Sequence, residues 1–207
     1  MKIKTDVVIV GTGVAGMFSA LKLPRDKKIV IITKEDMRSS DSFLAQGGIC
    51  VLRDENDYDS YFEDTMKAGH YENRKESVDI MIRGSRDIIN DLVGYGVDFK
   101  MDGDDFAYTR EGAHSRPRIL YHEDITGKEI SEKLLQQVLK LDNVTILEYT
   151  TMQDILVEND KCAGLKAVSA EANRTRLEAM EVGEAVKIQE EIQPGGEIPV
   201  EIYAQDT

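Results

Sequence analysis

Three glycines near the amino end have the spacing that lets a backbone approach phosphate groups. Gly11, Gly13 and Gly16 form the pattern G-x-G-x-x-G. The pattern follows four apolar residues, Val7–Val10, and precedes an apolar stretch that ends at Pro24. In such a turn the first glycine permits the bend, the second leaves room for a pyrophosphate, and the third lets the helix pack on the strand. The free N–H groups of the helix then attract the anion, so the pattern predicts a dinucleotide site.

A second apolar stretch, residues 29–33, completes a strand–helix–strand unit. In nicotinamide-dependent dehydrogenases an acidic residue at the end of such a strand binds the ribose hydroxyls. Here the strand continues into Lys34 and Glu35, and either residue could take that place. This ambiguity argues against a plain NAD dehydrogenase.

Two further stretches carry groups that could contact a ligand. A loop of small polar residues, 36–48, ends in Gln46, Gly47 and Gly48, and adjacent glycines let a backbone pass close to a flat or charged ligand. A charged segment, residues 109–115, reads T-R-E-G-A-H-S and supplies Glu111 and His114. From residue types alone, the alternative is a structural ion-pair cluster with hydrogen-bonded loop histidines, formed by Arg110, Glu111, Arg116, Arg118, His114 and His122.

The remaining pattern predicts the elements that position these groups. Helical periodicity covers residues 57–70 and 75–95, and a hairpin follows over residues 97–108. Thr126 and Glu129 have the form of a capping box that opens another helix. Strands are predicted over residues 144–147, 152–157 and 162–168, the last two as a hairpin. The fold class is therefore α/β: a Rossmann-like parallel sheet with helices, plus a small antiparallel β-meander.

Composition excludes several classes of partner. The 207 residues carry a formal net charge of −13, which argues against nucleic acids and anionic membranes. The hydrophobic content of 41% is sufficient for a core. No apolar run is long enough to span a bilayer, and no signal peptide precedes the first strand, which predicts a cytoplasmic protein. Cys50 and Cys162 have no metal or redox spacing, so we expect two free, mostly buried thiols and no metal.

Three separated motifs together resemble one family. They are the G-T-G-V-A-G turn at residues 11–16, the loop S-F-L-A-Q-G-G at 42–48, and the pair T-R-E-G-A-H-S at 109–115 with H-E-D-I-T-G at 122–127. In this order they are similar to the flavoproteins that include L-aspartate oxidase, fumarate reductase and succinate dehydrogenase. The last pair looks most like L-aspartate oxidase. The resemblance covers residues 4–170.

The resemblance implies FAD as cofactor. It places the pyrophosphate on the first turn, the ribose near Lys34, the ribityl chain and flavin ring along the polar loop, and the adenine on the backbone near residue 152. The residues implied are Gly11, Thr12, Gly13, Val14, Ala15, Gly16, Lys34, Asp41, Ser42, Phe43, Leu44, Ala45, Gln46, Gly47, Gly48, Met152 and Gln153. Fumarate reductases and succinate dehydrogenases carry a flavin-linked histidine where this chain has Asp41, so non-covalent FAD is expected.

The resemblance also implies a substrate and a reaction. In the aspartate oxidases the glutamate of T-R-E-G-x-H-S meets the substrate amino group, and here that residue is Glu111, with His114 beside it as a second substrate contact. A carboxylate can pair with an ammonium that succinate lacks. The expected reaction is the oxidation of L-aspartate to iminoaspartate for NAD biosynthesis, with oxygen or fumarate as acceptor. Two alternatives stay open: a fumarate reductase or succinate dehydrogenase fragment, and a non-catalytic FAD-binding fragment.

Three segments are predicted along the chain. Residues 1–170 form the amino-terminal part of the FAD-binding domain, and 171–197 an acidic insertion in a β-hairpin. Residues 198–207 form a return strand that leads to a second FAD motif beyond the chain. The catalytic arginine of the family is then also absent. We therefore expect a truncated chain with little activity alone, and a separately encoded carboxy-terminal remainder as a candidate partner.

Overall fold

A computed structural model describes residues 1–184, 186 and 195–204. The strands are β1 (Lys2–Thr5), β2 (Val7–Val10), β3 (Ile29–Ile32), β4 (Ile49–Cys50), β5 (Met101–Asp102), β6 (Asp105–Phe106), β7 (Ile119–Leu120), β8 (Val144–Leu147), β9 (Thr150–Glu158), β10 (Lys161–Ala170) and β11 (Glu197–Ala204). The helices are α1 (Val14–Lys22), α2 (Asp41–Leu44), α3 (Tyr58–Ala68), α4 (Lys75–Gly94), α5 (Thr126–Val138) and α6 (Arg174–Glu181), with single 3₁₀ turns at Glu55–Asp57 and Glu171–Asn173.

The chain divides into two compact units. The first unit comprises Met1–Phe43 and Leu134–Thr207, and the second comprises Leu44–Lys133. Among the described residues, no helix combines the length and the apolar character needed to cross a membrane.

A three-stranded parallel sheet lies in the first unit, in the order β2-β3-β8. The central strand β3 is buried along its whole length, as its run of β-branched residues predicts. Helix α1 follows β2 and ends before Pro24, so the predicted strand–helix–strand unit is confirmed.

A four-stranded sheet completes the first unit, in the order β1-β11-β10-β9. Its last three strands form the predicted antiparallel meander. Asn159 and Asp160 both have positive φ, 50° and 61°, which is the conformation of a tight type I′ hairpin turn. Strand β1 has no counterpart among the predicted strands; it pairs in parallel with β11 and buries Ile3 and Thr5 on one side.

The connection between β10 and β11 begins with ordered structure. Leu177 of α6 is fully buried in the core of the first unit. Asn173 is also buried and donates to the Glu148 carbonyl oxygen at 2.8 Å and to the Ser169 hydroxyl at 2.9 Å. The predicted division at residues 170 and 197 stays a prediction. Residues 185 and 187–194 of the expected insertion, and 205–207 of the expected return strand, lie outside the described residues.

The second unit is built on helices α3 and α4, close to the predicted ranges. Tyr61 and Met66 of α3 pack with Val78 and Ile82 of α4 in one apolar cluster. The hairpin expected over residues 97–108 is shorter, because only β5 and β6 pair, around Gly103 at φ +65°. Strands β4 and β7 form a second short antiparallel pair.

Helix α5 begins where predicted, but its predicted capping box is wrong. The Thr126 hydroxyl accepts the N–H of His122 at 2.9 Å, upstream of the helix. The Glu129 carboxylate accepts the N–H of Asp98 at 3.0 Å instead of reaching back to the cap. Thr126 therefore bonds to the backbone of the preceding turn, and Glu129 bonds to a loop that is far away in sequence, so neither side chain caps the helix.

Candidate functional site

The turn between β2 and α1 is shaped by close backbone approach. The Gly11 N–H donates to the Ile32 carbonyl at 2.8 Å, and Gly11 has φ +102°. A Cβ on Gly16 would lie 2.2 Å from the Gly11 carbonyl oxygen, so the helix could not keep this position with any other residue. The buried Thr12 directs its hydroxyl to the Thr33 hydroxyl at 3.3 Å, away from solvent.

The start of α1 has the character of a phosphate site. Gly13 occupies the N-cap position and has no side chain that could cap the first-turn N–H groups. The Val14 N–H donates to the Ser42 hydroxyl at 3.2 Å, and a Cβ on Gly13 would lie 3.2 Å from the same oxygen. A hydroxyl, a bare glycine and the positive end of a helix dipole suit an anionic pyrophosphate. These residues fit the cofactor that the sequence implies.

The residues expected near the adenosine lie at the end of β3 and on β9. The Thr150 N–H donates to the Thr33 carbonyl at 2.8 Å, and the Tyr149 N–H donates to the Glu35 carbonyl at 3.2 Å, so the exposed Lys34 lies at the start of β9. Met152 packs its side chain against the core, while Gln153 is exposed. In the described part of the chain β9 is an edge strand, which leaves alternate backbone groups unpaired along one side.

In the second unit, the double-glycine loop meets both halves of the charged motif pair. The Ala45 carbonyl accepts the N–H of Gly127 at 2.9 Å. A Cβ on Gly47 would lie 3.4 Å from Oε2 of Glu111, so the carboxylate lies against the Gly47 backbone. A Cβ on Gly48 would lie 2.2 Å from the Leu120 carbonyl, so this glycine is required by the approach of β7. The structure thus brings the double-glycine loop together with both halves of the charged motif pair.

Glu111 lines an open pocket beside this loop. The pocket has a volume of about 420 Å³ and is polar, lined by Gln46, Thr109, Glu111, Tyr121, Glu123 and Asp124. Leu44, Ala45, Gln46 and Gly47 are exposed, with Leu44 74% accessible. His122 does not line this pocket, and its Nδ1 contacts the Asp98 carbonyl oxygen.

His114 lies in different surroundings from Glu111. Its Nδ1 is 3.0 Å from Nη1 of Arg118, and its Nε2 is 3.2 Å from Sγ of Cys50. Arginine only donates, so Nδ1 is the acceptor in the contact with Arg118. His114 lines a second, mainly apolar pocket of about 430 Å³ together with Cys50 and Tyr61. Both ring nitrogens are therefore occupied within the protein.

The buried Arg118 organises a cluster of charged and polar side chains, which we call the Arg118 cluster: Asp57, Ser60, Asp64, His114 and Arg118. Arg118 is 0% exposed and donates two hydrogen bonds to Asp57, at 3.0 and 2.8 Å. It also donates to Asp64 at 2.6 Å and to the Ser60 hydroxyl at 3.0 Å. With His114, these contacts use all five N–H groups of the guanidinium. The ion-pair alternative is thus correct for Arg118, with partners the sequence analysis had not identified.

Burial and hydrogen bonding oppose each other in this cluster. Burial alone would raise the pKa of the Asp57 carboxyl, but hydrogen bonds from Arg118 and Ser60 hold that pKa below its ordinary value. The pKa of Asp64 is lowered in the same way, against its burial, by the Ser115 N–H and by Arg118. In turn, the two carboxylates raise the pKa of Arg118 despite its burial. All three groups are charged at neutral pH.

The two cysteines differ from the expectation in one respect. The two thiols form no disulfide with each other, but Cys162 is exposed and only Cys50 is partly buried. Burial raises the pKa of the Cys50 thiol, which keeps it protonated beside His114.

Comparison with known proteins agrees with the geometry of the first turn. A family model described as FAD binding domain matches residues 6–186. The chain belongs to that family. The glycine turn and the Ser42 contact fit FAD, the cofactor that this domain binds.

Two curated relatives show the range of similarity. The L-aspartate oxidase of Clostridium perfringens is 43% identical over 164 residues, covering 79% of this FAD-binding chain and 37% of the relative. The L-aspartate oxidase of Pseudomonas aeruginosa is 30% identical over 203 residues, covering 88% of the chain and 38% of the relative. The chain therefore spans under two-fifths of the length of these relatives.

Solved structures share the fold at lower identity. Escherichia coli quinol fumarate reductase matches with a TM-score of 0.82 and 21% identity, covering 99% of this chain and 32% of that one. Mycobacterium smegmatis Sdh1 matches with a TM-score of 0.80 and 21% identity, covering 98% of this chain and 33% of that one. These matches confirm the fold class.

Proposed function

We propose that this chain is the FAD-binding portion of an L-aspartate oxidase, which oxidises L-aspartate to iminoaspartate. The observation that carries the proposal is the Glu111 carboxylate against the Gly47 backbone, at the edge of an open polar pocket. The names of the curated relatives and the T-R-E-G-A-H-S motif support the same substrate. Formation of NAD through iminoaspartate is the expected use of the product.

In this proposal FAD, when bound, would supply the hydride-accepting chemistry for oxidation at the substrate Cα. The protein's part is to bind and orient. Glu111 pairs with the substrate ammonium through a charge-assisted hydrogen bond and selects against succinate, which would leave the carboxylate unpaired. His114 is proposed to support the loop rather than to touch the substrate, because both of its ring nitrogens have protein partners.

The cofactor contacts are proposed residue by residue. Residues 11–16 and the Ser42 hydroxyl hold the pyrophosphate, and Lys34 lies near the adenosine ribose. The backbone of Met152 and Gln153 meets the adenine, and residues 41–48 line the ribityl chain and flavin. Asp41 has no nitrogen that could bond to a flavin, so the cofactor is held without a covalent link.

Several properties belong to the proposed whole enzyme. Its proposed electron acceptor is oxygen or fumarate. Its proposed location is the cytoplasm. The proton-transfer arginine and the other substrate contacts come from a region outside this chain, whether encoded with it or separately. Loss of a proton-transfer group typically costs a hundredfold or more in rate, so the chain alone turns over slowly.

A fumarate reductase or succinate dehydrogenase type of function is the second candidate, because solved structures of those enzymes share this fold. Glu111 argues against it, since a dicarboxylate without an ammonium gains nothing from a third carboxylate.

The experiment is substrate-dependent bleaching of the flavin. The purified chain is loaded with FAD, freed of oxygen, and titrated separately with L-aspartate and succinate while the flavin absorbance is recorded. We expect perturbation or bleaching by L-aspartate only, weakened about 10- to 100-fold in Glu111→Gln because a charge-assisted bond is lost. Glu76→Gln, an exposed carboxylate on α4, is the control. Bleaching by succinate alone would establish the second candidate, and a chain that retains no FAD would refute both.

A further inference from the structure

The 109–115 loop, which carries Glu111, is held by hydrogen bonds at both ends. At its start Thr109 pairs with Ile119 through two backbone hydrogen bonds of 2.9 and 3.1 Å. At its end the N–H and the hydroxyl of Ser115 both donate to Oδ2 of Asp64, at 2.7 and 2.8 Å. Between these ends the chain is mostly exposed, apart from His114. The position of Glu111 therefore depends on two anchors.

The second anchor is itself immobilised. Oδ2 of Asp64 also accepts from Nη1 of Arg118 at 2.6 Å, and Arg118 is fully buried with all of its N–H groups in use. The guanidinium cannot rotate without breaking its contacts to Asp57, so it holds the Asp64 carboxylate in one orientation. Asp64 thus transmits the rigidity of a buried ion pair to an exposed loop.

The backbone of the loop shows that its conformation is imposed. Ala113 has φ +70°, a region that residues other than glycine rarely occupy. The His114 N–H donates to the Glu111 carbonyl at 3.3 Å, which closes the turn. Without the anchors an alanine would leave this region, and the turn that presents Glu111 would open.

We propose that Asp64 is a positioning residue for the proposed oxidation: held by Arg118, it fixes Ser115 and thereby keeps the Glu111 carboxylate against the Gly47 backbone. This role rests on the proposed function, because Glu111 is the group that meets the substrate ammonium there. A displacement of about 1 Å is enough to impair a positioned group, so the anchor matters although Asp64 touches no substrate.

The first test measures loop order in the chain without FAD. Arg110 is exposed and precedes Glu111, so trypsin cleavage after Arg110 reports opening of the loop. We expect Asp64→Asn to accelerate this cleavage about tenfold. Asp59→Asn is the matched control, an exposed carboxylate on the same helix α3, and should leave the rate unchanged.

A milder variant allows the same test if Asp64→Asn destabilises the whole chain. Ser115→Ala removes the hydroxyl donor and keeps the N–H, so we expect a two- to fourfold acceleration. In the double variant, Ser115→Ala should add nothing to Asp64→Asn, because both act through one carboxylate. Unchanged cleavage in Asp64→Asn, or fully additive effects, would overturn the anchor.

The second test connects the anchor to the substrate. In the FAD-loaded chain we expect Asp64→Asn to weaken the L-aspartate-dependent flavin perturbation about tenfold, with FAD affinity unchanged. Equal L-aspartate responses in the original chain and in Asp64→Asn, together with faster cleavage, would overturn the positioning role while the proposed function stands. If the original chain does not respond to L-aspartate, the proposed function fails. Faster cleavage of Asp64→Asn would then show that Asp64 anchors the loop, but not that it positions Glu111 for a substrate.

Discussion

The turn before α1 and the 109–115 loop are held by different forces. In the turn, the position of the backbone is set by glycine sterics and main-chain hydrogen bonds, with Gly16 packed against the Gly11 carbonyl. In the loop, a buried arginine and two carboxylates hold the chain through side chains. The first arrangement contains no titrating side chain and leaves no room for a Cβ at Gly16. The second tolerates changes of shape but depends on charge.

The largest effect on stability is expected when Arg118, the central cation of the Arg118 cluster, is replaced. Arg118→Met leaves Asp57 and Asp64 without their cation, and breaking a buried pair costs about 3–5 kcal/mol. Urea unfolding of the variant should show this loss. A loss below about 1 kcal/mol would mean that water replaces the guanidinium and that the cluster is not a true anchor.

The next effect concerns the steric arrangement. Gly16→Ala places a Cβ 2.2 Å from the Gly11 carbonyl oxygen, so the helix must shift; we expect a loss of about 1–3 kcal/mol and weaker FAD binding. Gly84→Ala on α4 is the matched control, since no atom lies within 4 Å of its added Cβ. That variant should gain about 0.5–1 kcal/mol from helix propensity. Equal effects of both substitutions, measured by thermal melting and FAD titration, would contradict the packing described for the turn.

Acid should distinguish the two regions without any mutation. The pKa values of Asp57 and Asp64 are lowered in the folded protein, so their stabilisation is fully present above the ordinary carboxyl value of 3.8 and is lost as the pH falls through the depressed values. Tryptophan is absent, so urea unfolding between pH 7 and pH 3 is best followed by tyrosine fluorescence and circular dichroism. The loss at low pH should shrink in Asp57→Asn/Asp64→Asn, and an unchanged loss would assign it to other carboxylates.

The smallest effect is expected within the loop itself. Ala113→Gly relieves a positive φ of 70° but makes the unfolded chain more flexible. The relief of backbone strain and the added flexibility of the unfolded chain nearly cancel. We therefore expect the free energy of unfolding, measured by thermal melting, to change by less than about 1 kcal/mol. A large destabilisation would show that the alanine methyl group has a packing role.

The difference between the regions also explains what could be predicted. Helix α1, strand β3 and the hairpin at Asn159 and Asp160 depend on residues adjacent in the chain, so the local sequence predicts them. The ion pair between Arg118 and Asp57 joins positions with no local relation, and neither residue has a distinctive neighbour. For the same reason Glu129 looks like part of a capping box with Thr126, while its carboxylate accepts from the backbone of Asp98, far away in sequence.

The motif residues show the same limit within the candidate site. The family resemblance implies that Glu111 meets the substrate, but no spacing in the sequence links residue 111 to residue 47, and their contact is known from the structure alone. Ser42 was expected beside the flavin, and the structure places its hydroxyl at the start of α1. A serine 28 positions from the helix that it contacts gives no periodic signal.

The pairing of β1 with β11 has a consequence for how the first unit folds. It joins Lys2 to Glu201 and Ile3 to Ile202, and Ile3 is fully buried in the folded unit. Contacts of such long sequence separation form slowly. We therefore expect β1 to join its sheet after the β9–β10 hairpin, whose strands are neighbours along the chain.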